Sequence, residues 1–151
     1  MANQEFVIGI EEKYPKELLK GRTNVEAMVV GCLWKDIILL DDVLLTKDNF
    51  ITKDGRMLFQ IADKLRRQGL NVLDEVSVIT SLKPDILEKL EGLGGWDMIE
   101  RMTEVIDTKN FPSYLEVLYR ENTICNLYDF GFNIMKDVEF NGKMVNALKL
   151  F

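Results

Sequence analysis

The sequence predicts an all-α protein, a globular helical bundle followed by an antiparallel helical hairpin. Three observations predict it: apolar residues recur at 3.6-residue spacing through most of the chain, helix caps and stops fall at the ends of those stretches, and a long proline-free segment near the C-terminus is apolar on two stripes. With 151 residues, 47% of them apolar and 29% charged, the chain is long enough to bury a core as one domain without disulfide or metal staples.

Residues 1–22 read as an acidic N-terminal extension carrying Glu5, Glu11, Glu12 and Glu17, without the basic patch and apolar stretch of a secretory signal. The first helix is predicted to start at Thr23, because Thr23 and Glu26 have the spacing of a capping box. Val25, Met28, Val29, Cys32 and Leu33 then share one stripe, and Gly31 is expected to let a neighbouring helix approach closely. Residues 36–45 are apolar enough for a short buried helix, and a loop through Asp48 and Phe50 follows. From Asp54 onward, Met57, Leu58, Ile61, Ala62 and Leu65 keep helical spacing. Arg66 and Arg67 complement the negative end of that helix, and Gly69 is placed to cap it at positive φ.

Asp74 is expected to cap a short helix striped by Val76, Ile79 and Leu82. Pro84 opens the next helix, striped by Ile86, Leu87 and Leu90 and ended by Gly92. Gly94 and Gly95 turn the chain tightly into a helix with Trp96 at its mouth and Met98, Ile99, Met102, Val105 and Ile106 on one face. Asn110 to Pro112 marks a boundary, after which one long helix is predicted from Ser113 to Lys136. Tyr114, Leu118, Cys125, Tyr128, Phe132 and Met135 form one of its stripes, and Val117, Ile124, Leu127 and Ile134 form the other. Only a short return helix follows, Asn141 to Phe151, so the apolar surface exceeds what that return can cover and the surplus is read as an interface. Phe151 ends an apolar pattern with no cap, which is read as the mark of a longer protein.

Composition removes several function classes. There is no histidine, so Ser/His/Asp and Cys/His catalysis are excluded. Cys32 and Cys125 lie inside apolar patterns and are expected to be buried and reduced. A net charge of −6 opposes binding to a phosphate backbone, so no direct nucleic-acid binding is expected. No apolar run is long enough to cross a bilayer, and a cytoplasmic location is expected. The glycines at 92, 94 and 95 lack the lysine that a phosphate-binding loop needs, and acidic pairs such as Asp41–Asp42 are adjacent and do not converge on one helix face, so neither ATP hydrolysis nor a metal site is expected here.

Several local runs stand in an order that resembles the N-terminal domain of DnaB-type replicative DNA helicases over residues 22–151. They are Asn24 to Leu33; Asp48-Asn49-Phe50; Arg56 to Ala62 with Leu65; Gly69 to Asp74; Leu93-Gly94-Gly95; and Asn110, Tyr114 and Leu118 to Glu121. The sequence departs from the family pattern at Arg22 and Thr23, where a proline usually precedes the opening helix, and at Cys125 and Asn126, near where an arginine pair usually stands. Such drift fits a divergent, phage- or plasmid-encoded member.

The resemblance implies a globular subdomain at 23–109 and a helical hairpin at 110–151. It implies a non-catalytic collar that pairs subunits as a dimer, or as a trimer of dimers in the full ring, and that docks primase or a helicase loader. No cofactor is implied for this chain; ATP and Mg belong to a separate motor domain. The residues assigned to partner contacts are Met98, Tyr114, Leu127, Tyr128 and Ile134. Truncation after Thr108 is expected to leave a folded monomeric bundle. The rival reading is a free-standing adaptor or inhibitor that imitates the collar and binds a helicase, primase or loader.

Overall fold

The computed structural model describes residues 16–130, without the side chains of 17–18 and 125–130. Among them six α-helices follow one another: α1 (Lys16–Lys35), α2 (Lys53–Arg67), α3 (Glu75–Ser81), α4 (Pro84–Leu93), α5 (Gly95–Glu104) and α6 (Phe111–Phe130). Three 3-10 turns, Ile37–Asp42, Lys47–Asn49 and Thr108–Asn110, join them, and no strand occurs among the described residues. The all-α class is therefore the observed one. The predicted return helix at 141–151 and the far end of the long helix, residues 131–136, lie outside the described residues.

The core forms around α1, which packs on α2, α5 and α6. Its stripe buries Val25, Val29, Val30, Cys32 and Leu33, while Met28 faces outward. Burial pushes the Cys32 thiol up to about 11, so it stays protonated and unreactive. Trp34 ends the stripe, donating its indole N–H to the Leu58 carbonyl at 3.1 Å and meeting Trp96 edge-on at 6.3 Å. Gly31 has the packing role predicted for it: a Cβ there would lie 2.9 Å from Ile106 Cγ1 and 3.3 Å from Met102 Cγ. Gly31→Val is expected to destabilise the fold by about 1–3 kcal/mol in urea denaturation, because overpacking outweighs the helix propensity gained.

Helix starts and stops follow local chemistry. Thr52 caps α2 by accepting from the Gly55 N–H at 3.1 Å. The helix ends in a Schellman arrangement, with Gly69 at φ +99 and the Leu70 N–H donating to the Leu65 carbonyl. Arg66 does more than complement the dipole: it forks onto Asp41 at 2.9 and 2.6 Å and holds that carboxyl below its ordinary value. Asp74 caps α3, Pro84 opens α4, and Gly94 and Gly95, at φ +126 and +66, turn α4 into α5. The α4 helix runs to Leu93, past the stop predicted at Gly92.

Four expectations need correction. Helix α1 already contains Thr23, whose hydroxyl donates to the Leu19 carbonyl inside the helix, so there is no capping box at Thr23 and Glu26. Residues 36–45 hold only the 3-10 turn Ile37–Asp42; Ile37, Leu40 and Leu45 are buried while Leu44 is 94% exposed. Helix α3 buries Val78, and the loop after it Leu82, whereas Val76 and Ile79 stand 70% and 41% exposed. Finally, α6 begins at Phe111 and buries Phe111, Leu115 and Leu118 in the core. A truncation after Thr108 would remove three core side chains, so it is expected to disrupt the bundle and not to leave it folded.

Candidate protein-interaction surface

The chain is built to present helix faces. Helices α1 and α6 run antiparallel: Lys35 donates to the Ile106 carbonyl at one end, while Arg22 reaches Leu118 and Asn122 at the other. The buried stripe of α6 is Phe111, Leu115 and Leu118, at i, i+4 and i+7. Tyr114 lies half-buried against that core, whereas Val117 and Tyr119 are 36% and 40% exposed. With 20 residues the helix is about 30 Å long. It therefore buries one flank and leaves apolar side chains exposed to either side of it, Val117 on one and Tyr119 on the other, since residues two apart face different ways.

A second feature lies between α1, the start of α2 and α5. It is a groove of about 440 Å³ with Ala27, Val30 and Leu58 as apolar lining, Met98 and Met102 along one wall, and Thr23 and Thr52 to Gly55 at the rim. Methionine is flexible and polarisable, so such a wall adapts to the apolar groups of a partner.

Behind the rim lies a polar network that the sequence reading missed. Arg22 and Glu26 are both fully buried, one turn apart on α1. Arg22 donates from Nε and Nη2 to Glu26 Oε2 at 3.0 and 2.7 Å, from Nη2 to the Asn49 carbonyl at 2.6 Å, and from Nη1 to Asn122 Oδ1 at 2.6 Å. Glu26 in turn accepts from the backbone N–H groups of Ile51 and Thr52 at 2.8 and 3.1 Å, and from the Thr52 hydroxyl at 2.5 Å. This satisfies both charges in a site closed to water, the condition under which a buried ion pair is tolerated. Gly55 belongs to the arrangement, since a Cβ there would collide with Glu26 Oε1 and Thr52 Oγ1. The i, i+4 spacing of Arg22 and Glu26 was the available signal, but the capping-box pattern claimed Glu26 for another role.

Of the residues assigned to partner contacts, Met98 lines the groove and Tyr114 flanks the core on α6, so the two occupy different features. Leu127 and Tyr128 lie on α6 with side chains outside the described set, and Ile134 lies outside the described residues. Among the described residues no group of three or more Cys, Asp or Glu gathers to hold a metal, and no helix is long and apolar enough to cross a membrane.

The family model for the DnaB-like helicase N terminal domain matches residues 19–120, two-thirds of the chain, from the first turns of α1 through the first half of α6. The chain belongs to that family. Neither the curated proteins nor the solved structures gave a match. The family is that of the non-catalytic N-terminal domain of DnaB-like helicases. The matched span holds the whole groove, the Arg22–Glu26 pair, Met98 and Tyr114, and it stops before Leu127. It also begins before Thr23, in keeping with a helix that is continuous through that position.

Proposed function

We propose that the chain is the collar domain of a replicative hexameric DNA helicase, associating subunits and docking primase or a helicase loader during DNA replication. The observation that carries this reading is the division of α6 into a core flank, Phe111, Leu115 and Leu118, and an outward flank on which the exposed Val117 is followed seven residues later by the half-buried Ile124. An apolar flank on a long helix, in a family of ring-forming helicases, is suited to a second subunit. The far end of the helix, with Leu127 and Tyr128, and Ile134 beyond it continue that surface in sequence. The methionine-walled groove is the better fit for the helicase-binding segment of primase, which would place an apolar anchor between Met98 and Met102. In this reading ATP and Mg bind in a separate motor domain of the parent protein, which acts in the cytoplasm and assembles three subunit pairs into its collar.

Alanine substitutions test it residue by residue. Tyr114→Ala, Leu127→Ala, Tyr128→Ala and Ile134→Ala are each expected to weaken self-association by about thirtyfold, near 2 kcal/mol, if they sit at the interface centre. Sedimentation across concentration reads that loss. Met98→Ala is expected to weaken binding of a primase fragment by a similar factor in calorimetry while leaving self-association unchanged. If all five variants associate and bind as the parent does, the assigned surfaces are wrong.

A further inference from the structure

The groove and the long helix share one buried joint. Thr52 and Gly55 form the groove's rim on one side and enclose the Glu26 carboxylate on the other. Through Arg22 that carboxylate is tied to the Leu118 carbonyl and to Asn122 on α6, and to Asn49 in the turn before the rim. We infer that the Arg22–Glu26 pair links the rim of the groove to the seating of α6, so that a change at either is felt at the other.

The physical reason is that a dry ion pair is close to all-or-none. The pair is held in a site closed to water by partners from three segments: Arg22 by Glu26 on α1, Asn49 and α6, and Glu26 by Arg22 and the 51–52 stretch. Withdrawing from Glu26 the Thr52 N–H and hydroxyl of the rim, and with them the adjoining Ile51 N–H, leaves an undercompensated charge in the interior, which cannot be relieved by a small shift. The relief is local opening, which exposes the pair to water. The α6 side is where the joint gives, because it rests on one short bond, to Asn122 Oδ1 at 2.6 Å: Asn122 Nδ2 is buried without an acceptor among the described residues and Arg22 Nη1 reaches the Leu118 carbonyl only at 3.4 Å. A displaced rim therefore favours a state in which α6 is unseated from residue 118 onward. By reciprocity, loosening α6 loosens the rim by the same factor.

The linkage is a property of this chain alone. Its use, passing groove occupancy to subunit contacts, rests on the function proposed above. Amide hydrogen exchange on the full chain tests the linkage without any partner, so the two ideas fail separately. Two rim variants, Thr52→Val and Gly55→Ala, are compared with Val78→Ala, a core substitution remote from the pair that is matched for overall stability by urea denaturation. The rim variants are expected to speed exchange at the amides of 117–124 by about tenfold or more while those of α4 hold steady, and Val78→Ala is expected to give no such preference. Asn122→Ala is expected to speed exchange at Ile51 and Thr52. If Gly55→Ala does not fold, Thr52→Val and Asn122→Ala decide the matter. Equal changes in α6 and α4 for the rim variants, or an Asn122→Ala variant whose rim amides are unmoved, would overturn the inference.

Discussion

Glu26→Ala is expected to lower the unfolding free energy by about 3–5 kcal/mol, a large part of the roughly 5–15 kcal/mol that holds a domain of this size together. The substitution leaves the Arg22 guanidinium fully buried with carbonyl and amide acceptors but no countercharge. It also orphans the N–H groups of Ile51 and Thr52, which have no helical partner to return to. Both losses fall on one spot, where the 3-10 turn Lys47–Asn49 meets the start of α2. Replacing both charges, as Arg22→Met with Glu26→Leu, is expected to recover part of the loss, since an apolar pair removes the unpaired cation although the orphaned N–H groups remain. Urea denaturation of Arg22→Met, Glu26→Leu and the double variant measures the coupling as a cycle. A cost below about 1 kcal/mol for Glu26→Ala would mean that water reaches the pair, contrary to its burial.

Truncation sets the second large effect. A chain ended after Thr108 loses Phe111, Leu115 and Leu118, each at most 8% exposed, and with them the acceptors that Arg22 finds on α6. Phenylalanine and leucine losses from a core cost about 3–5 and 2–5 kcal/mol respectively, so the sum reaches the whole stability of the domain. Such a chain is expected to show no cooperative urea transition and no near-UV circular dichroism. A chain ended after Ile124 keeps those contacts and is expected to unfold cooperatively. A cooperative transition in the shorter chain would mean that the first half of α6 is not part of the core.

Much of the fold was legible because helix ends obey local rules. Asp74, Pro84, Gly69 and the Gly94–Gly95 pair act where their caps and φ values demand, and Gly31 is small because Ile106 sits against it. What could not be read is which stripe of a helix faces inward. Periodicity groups Leu82, which is buried, with Val76 and Ile79, but cannot tell that Val78 turns toward the core in place of those two. On α6, where apolar residues lie on several sides, the predicted stripe through Tyr114 and Leu118 missed Phe111 and Leu115, since the choice depends on the angle at which α1 meets it. The candidate surface was harder still. Met98 could be singled out as an apolar residue on α5, but the groove also needs Ala27 from α1 and Gly55 from α2, and no local pattern joins residues so far apart in sequence. Arg22, standing where the family's proline is usual, looked like drift. In the fold it is the residue that pins α1 to α6, and the absence of proline there lets α1 run unbroken through it.

The central claim is that α6 carries an apolar flank for a second polypeptide. Multi-angle light scattering of the 151-residue chain across a range of protein concentrations tests it most directly. The weight-average mass is expected to rise from 17.5 kDa toward twice that value or more as concentration increases. A mass fixed at the single-chain value, into the hundred-micromolar range where even weak pairing would register, would contradict it.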